Sequence, residues 1–157
     1  AGKTPLCRLL LGLESPEQGE IHIPSAGAVF QENRLIETLS PVENLRLVLP
    51  PFPKSEIRKE LYSTLSSLLP EESLTRPVST LSGGMKRRCA LARALLSSSE
   101  VLILDEPFTG LDEATKKQAI LFIETWQKGR PLLFSTHDPE DVLLLQARLL
   151  PVEFKQH

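Results

Sequence analysis

Two short, wholly apolar segments constrain the fold of this chain more than any other feature. Val101–Leu104 and Leu132–Phe134 contain only aliphatic and aromatic residues. Runs of this length without polar alternation are typical of strands that are buried on both faces. Segments with helical spacing of apolar residues lie before, between and after them. This order predicts an α/β core with an all-helical insertion from about Glu32 to Thr80.

The composition is that of one ordinary globular domain. Of the 157 residues, 41% are hydrophobic and 24% are charged, which excludes a disordered, collagen-like or mucin-like chain. The formal net charge of −2 gives no overall positive field, so we expect no nucleic-acid partner. No apolar run approaches the roughly 18 residues of a membrane span. The two cysteines lack CxxC spacing, which favours a reducing cytosol.

Capping residues and apolar spacing predict the other elements. Ser40, Pro41 and Glu43 form a helix start with an N-cap and a capping-box partner. Ser82 and Asp112 are the expected N-caps of two further helices. The expected helices are Lys3–Leu11, Ser40–Val48, Lys54–Leu69, Ser82–Leu96, Asp112–Gly129 and a last helix that Asp138 opens. The other expected strands are Glu20–Ile23, Ala28–Phe30 and Arg148–Val152, with a turn at Pro24–Gly27 and a loop over Pro70–Thr80.

The first group of residues that carries chemistry is Gly2-Lys3-Thr4, which matches the end of G-x-x-x-x-G-K-[ST]. In such a loop, backbone N–H groups surround a phosphate, the lysine bridges β and γ oxygens, and the hydroxyl binds Mg²⁺. Only three positions of the pattern are present. Taken alone, this tripeptide is more typical of a solvated surface than of a phosphate site.

The second group is Asp105 and Glu106, at the end of the apolar strand Val101–Leu104. Strand alternation points the two side chains in different directions, so they can have different roles. Asp105 suits Mg²⁺, directly or through a water. Glu106 suits a general base that deprotonates the water attacking a γ-phosphate. The alternative is an ordinary acidic turn before a proline.

The third group is Leu81-Ser82-Gly83-Gly84-Met85, which a basic run follows. Paired glycines and the Ser82 hydroxyl at a helix start form a second candidate anion site. The alternative is a plain helix start. Cations are unfavourable at the positive end of a helix dipole, so the basic run is expected to face a nearby acid or a bound phosphate chain.

Together these groups resemble the nucleotide-binding subunit of an ABC (ATP-binding cassette) transporter, in the order that the family has. The matching segments are Gly2-Lys3-Thr4 (Walker A), Val29-Phe30-Gln31-Glu32 (Q-loop), Leu81–Met85 (LSGGQ signature), Asp105-Glu106 (Walker B), Gly110-Leu111-Asp112 (D-loop) and Ser135-Thr136-His137-Asp138 (switch loop). The resemblance covers nearly the whole chain. It implies a P-loop NTPase core in residues 1–31 and 81–157 and a helical subdomain in residues 32–80, within one domain.

The resemblance also implies a role for each matching residue, with ATP and Mg²⁺ as ligands. Gly2, Lys3 and Thr4 would bind the phosphates, with Thr4, Gln31 and Asp105 at the metal. Glu106 would be the general base, with Gln31 and His137 placing the water and the γ-phosphate. Ser82, Gly83, Gly84 and Asp112 would act across a head-to-tail dimer of two such subunits, because one half-site cannot neutralise the triphosphate alone.

Departures from the family pattern concern the phosphate site and the start of the chain. Pro5 stands where the family has Ser or Thr, and Met85 replaces Gln or Glu, which removes polar groups. The segment 12–31 is short, so the antiparallel strands that the family has there are expected to be abbreviated. Because Ala1 falls within a motif, we expect an N-terminally truncated fragment that leaves a central strand position empty, binds nucleotide poorly and aggregates.

The sequence therefore predicts an Mg²⁺-dependent ATPase that drives a bacterial small-molecule importer, with similarity to the nitrate, sulfonate and taurine group. Separate transmembrane permease subunits are the expected partners, contacted through the insertion near Leu45–Phe52. The expected location is the cytoplasmic face of the inner membrane. Two alternatives stay open: a soluble ABC ATPase of translation or DNA repair, and a non-catalytic cassette.

Overall fold

A computed structural model describes residues 3–49 and 54–150, which form a three-stranded parallel sheet surrounded by helices. The strands are β1 (Ala26–Val29), β2 (Val101–Asp105) and β3 (Leu132–Ser135), and they lie side by side in that order. The register places Asp105 beside Ser135. Because the strands are parallel, their carboxyl ends meet at one edge of the sheet, which is where open α/β sheets bind ligands.

Six α-helices occur in the described part of the chain, and their N-caps were largely predictable. Ser40 and Glu43 form the expected capping box, and the side chains of Ser82, Asp112 and Asp138 each accept a backbone N–H in the first turn of the helix that follows. The helices are α1 (Lys3–Leu10), α2 (Pro41–Arg46), α3 (Lys54–Leu65), α4 (Gly83–Leu96), α5 (Glu113–Gln127) and α6 (Pro139–Leu144), with short 3₁₀ turns at Glu71–Ser73 and Val78–Thr80.

Four details of the predicted helices and strands are wrong. Glu20–Ile23 is not a strand, and β1 begins at Ala26, inside the predicted turn. The third helix ends at Leu65, where the hydroxyls of Ser66 and Ser67 bond to carbonyls of the preceding turn and compete with the helix. Residues 148–150 are not a strand, and the remainder of that predicted strand lies outside the described residues.

Helix α4 supports the sheet from one face. Leu91 and Leu95 of this helix are buried in one core with Leu102 and Leu104 of β2. β1 approaches the end of α4 so closely that a Cβ on Gly27 would lie 2.7 Å from the carbonyl oxygen of Ala94. This position therefore requires glycine. Among the described helices, none is both long enough and apolar enough to cross a membrane.

β3 is less buried than its apolar sequence predicts. Its three apolar residues are only half-buried, whereas Leu102–Asp105 of β2 is buried. Within the described residues β3 pairs only with β2, and it lines a cavity of about 540 Å³ that Leu6 and Leu145 also line. Burial on both faces thus holds for β2 and not for β3.

Candidate functional site

The two acids that end β2 are held by β3. The hydroxyl of Ser135 donates a hydrogen bond to Asp105 Oδ1 at 2.5 Å and accepts one from the backbone N–H of Glu106 at 3.1 Å. Asp105 is buried, at 3% exposure. Glu106 has a φ of +52°, an uncommon backbone conformation for a residue other than glycine. The backbone turns sharply here, so the two carboxylates have separate environments.

The switch-loop histidine lies on the second of these acids. His137 Nε2 is 3.0 Å from Glu106 Oε1, and the Thr109 hydroxyl is 3.5 Å from the other carboxylate oxygen. The Glu106 side chain is 14% exposed and the His137 side chain 81%. The carboxylate therefore lies partly sheltered at the sheet edge, beneath an imidazole that water can reach.

The lysine of the first motif reaches the same place from α1. Helix α1 contacts β2, and Lys3 Nζ donates a hydrogen bond to the carbonyl oxygen of Thr136, the residue before His137. Thr4 is half-buried in the first turn of the helix. Gly2 lies outside the described residues. The structure thus brings Lys3, Asp105, Glu106 and His137 together around the carboxyl ends of β2 and β3.

Gln31 is exposed just after β1, and an arginine fixes its backbone. Arg87 of α4 donates hydrogen bonds to the carbonyl oxygen of Phe30, to that of Gln31 at 3.2 Å and to Asn33 Oδ1 at 3.2 Å. Arg87 is 4% exposed. Burial lowers its pKa, against the opposing fields of Asp105 and Glu106. This buried cation belongs to the signature helix and lies close enough to Asp105 and Glu106 for their charges to act on its pKa.

The signature turn lies at the start of α4, beside the D-loop. Ser82 Oγ accepts the backbone N–H of Met85 at 3.2 Å, so its own proton can still be donated. A Cβ on Gly84 would lie 3.4 Å from the carbonyl oxygen of Gly110. Gly83 and Ser82 are exposed. The predicted anion site therefore faces outward, as a site completed by another molecule requires.

Asp112 caps α5 through a 2.8 Å bond that its carboxylate accepts from the Thr115 N–H. This backbone bond, the Thr115 side chain and the field of Arg88 lower the pKa of the exposed carboxyl. The plain capping role is therefore present, on a side chain that is exposed to solvent.

The basic run after the signature consists of Lys86, Arg87 and Arg88, and these residues differ in the groups that they contact. Lys86 Nζ pairs with Glu37 at 2.8 Å, so one member does face an acid. Arg88 bonds instead to the carbonyl oxygens of Leu68 and Gly84. Arg87 was missed as a site residue, although its spacing from Leu91 and Leu95 places it on the buried face of α4. Ser135 was also missed; its signal was a polar residue at the end of an apolar strand.

The donors at this edge fit a nucleotide with Mg²⁺. Mg²⁺ prefers one or two carboxylates together with substrate phosphates over a cage made only of protein ligands. Asp105 supplies a buried carboxylate, Thr4 a hydroxyl, and Lys3 a cation for phosphate oxygens. In the part of the chain that the structure describes, no three His, Cys, Asp or Glu side chains gather as a self-sufficient metal site. Phosphate oxygens would complete the coordination.

The curated proteins that this chain resembles are named as import ATP-binding proteins. The chain is 38% identical over 153 residues to the aliphatic sulfonates import ATP-binding protein SsuB 1 of Pseudomonas syringae pv. tomato, covering 96% of this chain and 56% of that protein. It is 36% identical over 165 residues to the spermidine/putrescine import ATP-binding protein PotA of Legionella pneumophila, covering 95% of this chain and 45% of that protein. The chain therefore spans about half the length of these relatives.

Solved structures give the same fold. The ATP-binding cassette MJ0796, in a dimeric post-hydrolysis state bound to ADP and Pi, superimposes with a TM-score of 0.80 at 25% identity, over 91% of this chain and 73% of that one. An inward-facing metal-chelate type ABC transporter gives 0.70 at 30% identity, over 92% and 62%. The family model described as ABC transporter matches residues 1–109. The chain therefore belongs to the ABC transporter family and has the α/β P-loop fold of its ATP-binding cassettes.

Proposed function

We propose that this chain is the ATP-binding and ATP-hydrolysing part of an ABC transporter that imports a small molecule into a bacterial cell. One observation carries the proposal: Lys3, Asp105, Glu106 and His137 meet around the carboxyl ends of β2 and β3. Phosphoryl transfer needs four groups close together: a cation for the phosphates, a carboxylate that binds the metal, a general base, and a hydrogen-bond donor to the γ-phosphate. The relatives named as import ATP-binding proteins support the direction of transport.

Lys3 binds the triphosphate in this proposal. Its ammonium now bonds to the Thr136 carbonyl, an oxygen acceptor that β- and γ-phosphate oxygens can replace. Thr4 and Asp105 would hold Mg²⁺, with the Gln31 side chain nearby; when bound, Mg²⁺ supplies positive charge to the phosphate oxygens. The Ser135 hydroxyl on Asp105 Oδ1 orients that carboxylate.

Glu106 is the proposed general base. It accepts a proton from the attacking water while the water oxygen bonds to the γ-phosphorus and the bond from phosphorus to the β–γ bridging oxygen breaks, giving ADP and phosphate. His137 begins 3.0 Å from this carboxylate and donates to the γ-phosphate, and Gln31 orients the water. The partly sheltered position of Glu106 strengthens these interactions.

A second copy completes the site. The exposed Ser82 hydroxyl and the N–H groups of Gly83 and Gly84 would bind the phosphates held by Lys3 of the second copy, with Asp112 at the interface. The dimeric cassette structures support this arrangement. Residues 1–31 and 81–157 would form the nucleotide-binding core, and residues 32–80 would form the helical subdomain.

The partners and location follow from the same proposal. Transmembrane permease subunits would bind the helical subdomain near Leu45–Phe52, of which residues 50–52 lie outside the described part. Leu47 is 60% exposed at the end of α2, so it is accessible for such a contact. The protein would then work at the cytoplasmic face of the inner membrane, and the transported compound would be a small polar solute such as a sulfonate.

Two measurements test this proposal, ATP binding and phosphate release, and both use the protein purified from its native host. Lys3→Ala removes charge-assisted bonds and is expected to weaken ATP binding about 10- to 100-fold. Lys128→Ala, at the far end of α5, is the control and should bind ATP like the parent. Binding without hydrolysis would favour a non-catalytic cassette. Equal ATP affinity of Lys3→Ala and the parent would refute the proposed phosphate site.

A further inference from the structure

A lysine outside every motif described above is nearly buried beside the switch loop. Lys116, in the second turn of α5, has a side chain that is only 12% exposed. Its ammonium lies 2.6 Å from Asp138 Oδ2 and also contacts Asp141 Oδ1, on a side chain that is 4% exposed. Burial opposes the charge on Lys116, but the bonds to Asp138 and Asp141 prevail and raise its pKa above the ordinary value.

The neighbouring lysine shows that this is not a typical surface pair. Lys117 bonds to Glu113 at 2.8 Å one turn earlier, with side chains that are 61% and 78% exposed. Exposed pairs of that kind contribute little, because water screens them. The Lys116–Asp141 pair is largely removed from water, so breaking it leaves the buried Asp141 carboxylate without its cation.

The two acids bonded to Lys116 are tied to the residues on either side of His137. Asp141 Oδ2 accepts the hydroxyl of Thr136, and the same hydroxyl oxygen accepts the N–H of Asp138 at 3.0 Å. Thr136 in turn bonds to Lys3 through its carbonyl oxygen. Lys116 therefore fixes the backbone both before and after the histidine.

We infer that Lys116 is a positioning residue, which holds the Thr136–Asp138 segment through Asp138 and Asp141 and so sets the place of His137 against Glu106 and the γ-phosphate. The inference rests on the proposed ATPase function. It also links two parts of the site: the backbone N–H of Lys116 donates to the carbonyl oxygen of Asp112 at 2.8 Å, one helical turn earlier. A shift of Asp112 at a dimer interface would thus reach the histidine through one helical turn.

The test compares Lys116→Met with Lys117→Met, its exposed neighbour, and with Lys116→Arg. In Lys116→Met, His137 would be misplaced relative to the γ-phosphate, so kcat should fall about 10- to 100-fold. The Kd for ADP, which has no γ-phosphate, should stay within about twofold of the parent. Lys117→Met should match the parent, and Lys116→Arg should recover most of the rate. A parental kcat in Lys116→Met, or an equal loss of ADP affinity and kcat, would overturn the inference.

Hydrogen exchange of the amides of Asp138 and Glu140 separates this inference from the proposed function. Faster exchange in Lys116→Met alone is expected, whether or not the parent hydrolyses ATP; unchanged exchange would overturn the inference. A parent without ATPase activity would refute the function instead. If Lys116→Met does not fold, Asp138→Asn keeps the cap of α6 and weakens the pair. A smaller loss of kcat with unchanged ADP affinity is then expected, and no loss would overturn the inference.

Discussion

His137 Nε2 lies 3.0 Å from Glu106 Oε1, and the two side chains differ sharply in exposure. The carboxylate is sheltered at the end of β2, and its backbone N–H bonds to the Ser135 hydroxyl and carbonyl oxygens. The imidazole is open to solvent, and in the proposed mechanism it exchanges the carboxylate for a phosphate oxygen. The fixed member of the pair therefore suits the base, and the accessible member suits the group that binds the nucleotide.

Replacing Glu106 with Gln tests this division of roles. The amide keeps the shape of the side chain but cannot accept the proton, so hydrolysis should fall about 10²- to 10⁴-fold. ATP binding should persist, and an ATP-bound dimer should accumulate. Phosphate release and light scattering with ATP measure both effects. Glu113→Gln, on the exposed first turn of α5, serves as the control. A Glu106→Gln protein that hydrolyses ATP at the parental rate would rule out Glu106 as the base.

Ser135→Ala should affect both stability and catalysis. Its hydroxyl bonds to Asp105 Oδ1 at 2.5 Å, and the buried carboxylate would lose that donor. We expect a loss of about 1–3 kcal/mol in the free energy of unfolding, together with a lower kcat. Ser66→Ala is the matched control, because its hydroxyl bonds only to the exposed end of α3. Urea unfolding and steady-state ATPase assays measure the two effects. Identical behaviour of the two variants would contradict the prediction.

Features set by neighbouring residues could be predicted from the sequence. The capping box of Ser40 and Glu43 uses residues three positions apart, and the acids Asp105 and Glu106 follow directly on an apolar strand. The prediction of a strand at Glu20–Ile23 was wrong, because a short alternating segment becomes a strand only when a partner strand is present. Its two isoleucines are 39% and 37% exposed.

The supports of the site could not be predicted in this way, because their partners are distant in the chain. Ser135 lies 30 residues from Asp105, and Arg87 lies 56 residues from Gln31. The register of β2 and β3 and the packing of α4 bring these groups together, and neither is encoded in local spacing. The motif residues indicate where the site lies, whereas tertiary packing determines which polar side chains support those residues.

The capping box predicts a dependence of stability on pH. The N–H and the hydroxyl of Ser40 both donate to Glu43 Oε2 at 2.8 Å and lower the pKa of this exposed carboxyl below its ordinary 4.5. Its contribution is therefore complete above that value and is lost as the pH falls through the lowered pKa. Glu43→Gln should have a lower Tm than the parent at pH 7, and the difference should shrink below about pH 4.5. Glu72→Gln is the control. A difference that stays constant from pH 7 to pH 3 would contradict this account.

Arg87→Met should destabilise the protein and loosen the Gln31 loop. The methionine fills much of the same space but leaves three partly buried acceptors, on Phe30, Gln31 and Asn33, without their donor. An unfolding loss of about 3 kcal/mol is expected, with faster hydrogen exchange over residues 31–34 and a lower kcat. The control is Arg76→Met, at an exposed position. Urea unfolding and exchange measurements on both variants decide the matter. If Arg87→Met were as stable as Arg76→Met and exchanged no faster, water would be satisfying the three oxygens and the arginine would not be holding the loop.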